Sequence, residues 1–234
     1  MTRLFWIGLL FLVFGIVLLA LVVPLRCLPC AWVSVGAKTH QLEDGITLHL
    51  VNVPLAKAKP LVEAAAARAG VGDFEPMQIM VGAGDRFAQN FTEYGVTHFS
   101  PWGGPFIVIG PKGTNVDVLA HEIMHARQFH RWGYIGRETS VPTWLDEGWA
   151  MQVDYRGGYG LSTLCTGAPE PVLAEIATAG DFFVADLDQR RRHYAYAKLV
   201  VADWVERGLL DEADLSNFRK LAFLAQNEVP KLCG

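Results

Sequence analysis

Apolar residues recur along this chain with changing periods, and each change marks a change of expected structure. From Leu4 to Leu25 there are 22 residues without a charge. As a helix they would span about 33 Å against a hydrocarbon core of about 30 Å. Phe, Leu and Val occupy every side of that helix, so it has no polar face to present to water. The run is too long for the apolar region of a cleaved signal, and Leu18-x-Ala20 and Pro29-x-Ala31 are poor cleavage sites. An uncleaved signal anchor over residues 1–26 is expected, with a cleaved signal as the alternative. A juxtamembrane linker over 27–37 and one soluble domain over 38–234 follow. Arg3 and Arg26 flank the span. Their balance favours a single-pass topology with the amino terminus in the cytoplasm and the domain outside it.

Beyond the linker the pattern alternates between periods near two and near 3.6. Strands are expected at Ile46–Val53, Met77–Val81, Val96–Phe99 and Phe106–Ile109, with a helix over Leu55–Ala69. Gly82-Ala83-Gly84 is a turn and not a phosphate loop, because no helix opening on Lys-Ser or Lys-Thr follows it. A helix is expected from Asn115 to about His130, opened by a Thr114/Asp117 capping box and ended by a loop at Gly133 and Gly136. Pro142 suits the start of another, running through Trp144, Leu145, Ala150 and Val153 to the stop at Gly157-Gly158. The Gly-, Pro- and Ala-rich stretch Leu161–Asp188 holds one expected helix, Pro171–Thr178. A buried apolar helix over His193–Arg207 is ended by Gly208, and an amphipathic one covers Glu212–Asn227. Strands followed by helices predict an α+β domain, with a small mixed sheet and a helical C-terminal half.

Composition narrows this picture. A chain of 234 residues, 51% hydrophobic and 19% charged, fits one globular domain plus an unusually apolar segment. A net charge of −4 gives no footprint for nucleic acid. Arg190-Arg191-Arg192 reads as a solvated helix start, with anionic lipid or an acidic substrate as the alternative. Cys27 and Cys30 form a C-x-x-C pair, but no second such pair exists to complete a zinc site. With Cys165 and Cys233 they allow two disulfides in three connectivities. Arg26 occupies the place where a lipidation box needs a small residue.

The chemistry is concentrated in His121-Glu122-Ile123-Met124-His125. Residues four apart on a helix share a face, so the two imidazoles can converge on one ion. Glu122 lies about 100° round the helix, able to act as general base on water held by that ion without ligating it. A hydrolytic zinc site has three protein ligands and an open position. The strongest third candidate is Glu147 in Trp144-Leu145-Asp146-Glu147-Gly148-Trp149-Ala150, with Asp146 and Asp154 behind it. Asp154 is also a candidate acceptor for a ligand imidazole N–H. His98 reads as a surface or substrate-side residue.

HEIMH followed by WLDEGWA resembles the gluzincin branch of zinc metallopeptidases, in particular the gluzincin aminopeptidases and the smaller "peptidase MA-like" domains. The resemblance covers about residues 90 to 208. It implies a zincin-like domain in which His121, His125 and Glu147 hold one Zn²⁺ per chain and Glu122 is the catalytic base. It implies a peptide or protein substrate, held by strand addition to one edge of the sheet. It also implies a tyrosine from a later helix that stabilises the oxyanion. Tyr196, in Tyr196-Ala197-Lys198, matches that motif best, with Tyr194 as its rival. The two differ by about 200° on a helix, so both cannot face one metal. The 21 residues between His125 and Glu147, 126 to 146, make a longer connection than the aminopeptidase pattern has. No G-A-M-E-N-like stretch precedes the first motif, so a membrane-anchored endopeptidase is expected ahead of an aminopeptidase. An idle zinc-binding or interaction module is the reading from outside enzymology, and the retained Glu122 argues against it.

Overall fold

The computed structural model describes residues 36–42, 45–70, 76–100 and 104–233. The anchor expected over residues 4–25 lies outside these, together with Cys27 and Cys30. Among the described residues no helix is long and apolar enough to cross a membrane.

Strands β1 (Lys38–Gln41), β2 (Ile46–Val51), β3 (Met77–Gly82), β4 (Gly95–Ser100) and β5 (Gly104–Ile109) form a mixed sheet in the order β1-β2-β3-β5-β4. The parallel pairs β2/β3 and β3/β5 are central, and the outer pairs β1/β2 and β4/β5 are antiparallel. Helix α1 (Leu55–Arg68) makes the crossover from β2 to β3. Alternation sets the layers. Ile46, Leu48, Leu50, Ile79 and Ile107 are buried in the main core with Ala58, Val62 and Ala65 of α1. The opposite side has a smaller cluster, where Met80 and Val108 meet Phe87 and Phe91 at α2 (Asp85–Asn90).

Helix α3 (Val116–Ser140) lies against β4, β5 and α1, burying Leu119, Ala120, Ile123 and Ala126 in the main core. Its N-cap is Asn115, whose side chain accepts from Val118 N at 3.0 Å. The expected Thr114/Asp117 box does not form. The Thr114 hydroxyl donates to Gly110 O, and the Asp117 carboxylate pairs with Arg68. At Gly133 the backbone turns to φ 67°, ψ 170°, and the helix then resumes. The loop expected there is therefore a second helical segment, which brings Arg137 back toward Asp146.

Helix α4 (Thr143–Ala150) starts after its N-cap Pro142 and ends earlier than expected. Three successive N–H groups, from Gln152 to Asp154, bond three residues back, so the chain tightens and Val153 and Asp154 leave the helix. The stretch after it holds only short helices, α5 (Leu161–Leu164) and α6 (Ala179–Phe182). The helix expected over Pro171–Thr178 is a 3₁₀ turn, Leu173–Ile176. Helix α7 (Leu187–Glu206) begins earlier than its apolar run because Asp186 caps it, accepting from Gln189 N at 2.8 Å. The last amphipathic stretch divides at Asn217 into a 3₁₀ turn, Ala213–Ser216, and α8 (Phe218–Asn227).

Helices α4 and α7 pack closely because residue 148 is glycine. A Cβ there would lie 2.6 Å from Ala197 O and 2.9 Å from Val201 Cγ2. A Cys165–Cys233 disulfide ties the stretch after α5 to the C-terminal tail. Glu170 holds the same tail by accepting from Cys233 N at 2.6 Å.

Candidate metal centre

The centre is assembled from three helices and the edge strand. α3 contributes His121 and His125 one turn apart, and α4 contributes Glu147. All three are buried. His121 Nε2 lies 3.1 Å from His125 Nε2 and 3.2 Å from Glu147 Oε2, and the third side of the triangle is 3.5 Å. Three donor atoms thus converge on one point, and they form a group able to hold a metal ion. Glu147 Oε2 is buried and has no partner of hydrogen-bond geometry, although two imidazole nitrogens are close. A buried oxygen in that condition is costly unless a cation meets it.

Electrostatics point the same way. Burial opposes a charge on His125, but the carboxylates of Asp146 and Glu147 outweigh it and raise its pKa well above the ordinary 6.5. Burial likewise opposes ionisation of Glu147, yet the neighbouring imidazoles hold its carboxyl well below the usual carboxylate range. Both shifts favour positive charge between these side chains.

Near each imidazole lies an aspartate that is bound by an arginine. Asp146 Oδ1 is 2.8 Å from His125 Nδ1, and its Oδ2 accepts from Arg137 Nη2 at 2.6 Å. Asp154 is fully buried and bound through both oxygens by Arg156. Its Oδ2 is 3.6 Å from His121 Nδ1, too far for a hydrogen bond, and that nitrogen has no such partner among the described residues. The expected acceptor is therefore near its imidazole without bonding it, because α4 ends before Asp154. Asp146, weighed in the sequence only as a substitute ligand, supports His125 instead.

Glu122 is buried beside the triad but faces the sheet. Thr97 Oγ1 on β4 donates to its Oε2 at 2.7 Å, and a Cβ on Gly95 would fall 2.7 Å from its Oε1. His98 points to the other side of β4 and is no part of the donor group. Burial lowers its pKa, which the Glu122 charge partly offsets.

The two candidate tyrosines lie in different surroundings. Tyr194 has its ring centroid 6.4 Å from that of His121. Burial, and then the charges of Glu147 and Glu122, raise its pKa well above the ordinary 10.0. Tyr196 is buried in the core, and the charge felt by its hydroxyl is that of Glu170, away from the triad. The half-turn between the two positions sends the better motif match to the side of α7 away from the triad. Tyr194 is walled by Phe182, Phe183 and Tyr159.

No protein-family model matches the chain, and no curated protein matches it. The class that these observations define is an α+β protein with a buried two-histidine, one-glutamate group able to hold a metal ion.

Proposed function

We propose that the protein is a zinc-dependent metallopeptidase of gluzincin type, anchored in a membrane by residues 4–25. The observation that carries this reading is the donor triangle with Glu122 outside it. Ligands about 2.0–2.1 Å from a tetrahedral ion stand about 3.3 Å apart, and the sides here are 3.1, 3.2 and 3.5 Å. Nitrogen donors outnumber oxygen, which suits zinc and disfavours calcium or magnesium. Three protein ligands leave a position open, whereas a structural site is closed by a fourth.

Zinc held there would supply a bound water of pKa about 7 and polarise a peptide carbonyl. Glu122, held by the Thr97 hydrogen bond, would be the base that takes the water proton and passes it to the leaving amine. Tyr194 keeps its proton because its pKa is raised, so it can donate to the carbonyl oxygen as negative charge develops. Among the described residues β4 pairs with one strand only, β5, and its Thr97 side chain contacts the base. An extended peptide added to its other edge would lie across the metal, which favours internal cleavage.

The test is digestion of an unstructured protein by the zinc-loaded chain, read by mass spectrometry. Internal cuts that stop on chelation are expected. Trimming by single terminal residues would make it an exopeptidase, and an uncut substrate would remove the peptidase reading.

A further inference from the structure

Residues of β4 that share one face touch both halves of the catalytic apparatus. Gly95, Thr97 and Phe99 alternate toward α3, as strand geometry requires. Gly95 leaves the space that Glu122 fills, since any Cβ there would overlap the carboxylate and Val118. Thr97 donates to that carboxylate at 2.7 Å. Phe99 stacks on Phe129 of α3 with centroids 5.1 Å apart, and the Arg137 guanidinium lies 3.9 Å over its ring. The same guanidinium reaches Asp146, which holds His125.

We propose that the inward face of β4 is a positioning frame for the metal centre. Thr97 fixes the base Glu122, and Phe99, through Arg137 and Asp146, fixes the ligand His125. The inference rests on the metallopeptidase reading for the role of Glu122, but its metal arm stands apart from catalysis. Three contacts on alternate residues explain the physical economy of the arrangement. A glutamate beside two ligand imidazoles has several rotamers within reach of a metal, and a hydroxyl on the sheet side selects the one that stays outside the ligand set. Arg137 Nη2 holds one oxygen of Asp146 while His125 holds the other, and the aromatic ring beneath the guanidinium supports it. Because the ladder to β5 sets the β4 register, with Thr97 opposite Ile107, the base and the open strand edge are held at a constant offset. A peptide added to that edge would meet the base at the same height each time.

The experiment uses the full-length chain with zinc as the metal. Thr97→Val keeps the shape and removes the donor. It is expected to lower kcat about tenfold or more with KM and zinc content unchanged, a hydrogen bond to a charged group being lost. Thr97→Ser keeps the hydroxyl and should restore turnover. Arg137→Met keeps an apolar stem over Phe99 but cannot bind Asp146, and is expected to raise the zinc dissociation constant about tenfold or more in a competition titration. Wild-type turnover in Thr97→Val, an equal loss in Thr97→Ser, or wild-type zinc affinity in Arg137→Met would each overturn the frame. If the wild-type protein cleaves nothing, the peptidase reading fails by itself. The zinc titration of Arg137→Met and a crystal structure of Thr97→Val then decide the frame, which an unmoved Glu122 carboxylate overturns.

Discussion

Asp146 bonds His125 directly: its Oδ1 is 2.8 Å from Nδ1, on the residue just before Glu147, the third candidate ligand. The bond requires the proton on Nδ1 and leaves Nε2 free to face the metal. Asp154 stands 3.6 Å from the corresponding atom of His121 and spends its hydrogen bonds on Arg156. Asp146→Asn should therefore weaken zinc binding about 10- to 100-fold. Asp154→Asn should act mainly on stability, by leaving Arg156 without its partner. Paired zinc titrations and melting curves check the contrast, and a larger affinity loss in Asp154→Asn would reverse it.

Tyr194→Phe should lower turnover about 10² to 10³-fold with little change in KM, as expected for a donor that acts on developing charge. Tyr196→Phe should leave turnover near wild type. Steady-state kinetics on one peptide compare them, and the larger loss in Tyr196→Phe would return the role to the residue that the sequence resemblance favours.

The sequence made the centre readable and left its supports hidden, for a physical reason. His121, His125 and Glu147 are legible because helical spacing alone brings the first two together, and the WLDEGWA motif carries the third. Thr97, Arg137 and Tyr194 reach the site through strand register, a helix that resumes beyond Gly133, and the rotation of α7. None of these has a local signature. Strands β2, β3 and β5 announce themselves by buried alternation, whereas β1, Lys-Thr-His-Gln, has no buried residue and stays silent. Helix α2 is too short for a period to emerge, and the pattern extends α4 through Asp154 because propensity does not reveal where 3₁₀ tightening begins.

Gly148→Ala should destabilise the fold by about 1–3 kcal/mol, since the added carbon meets the α7 backbone, which cannot step aside as a flexible side chain can. Because α4 carries Glu147 and α7 carries Tyr194, the variant should also lose zinc affinity. Denaturant titration of the metal-free form and zinc titration of the folded form separate the two effects. Unchanged stability would mean that the helices pack less closely than described.

The pair His125 and Glu147 predicts a pH dependence for the metal-free protein. A histidine whose folded pKa is raised contributes stability that is full below its ordinary 6.5 and lost as pH rises through the folded value. A carboxylate with depressed pKa contributes stability that is full above its ordinary 4.5 and lost as pH falls through the folded value. Both contributions are complete between pH 4.5 and 6.5. Zinc must displace the His125 proton, so its apparent affinity should rise with pH until His125 is neutral in the folded protein and then level off. Melting temperature with chelator across pH, and zinc affinity over the same range, check the two slopes. Affinity independent of pH would contradict the protonated apo centre.

The most direct measurement compares the zinc-loaded wild type with Glu122→Gln, reading bound zinc by elemental analysis and peptide cleavage by mass spectrometry on the same samples. The account predicts one zinc per chain in both proteins and cleavage only in the wild type. Loss of zinc from Glu122→Gln, or cleavage by it at the wild-type rate, would contradict the assignment of Glu122 as a base outside the ligand set.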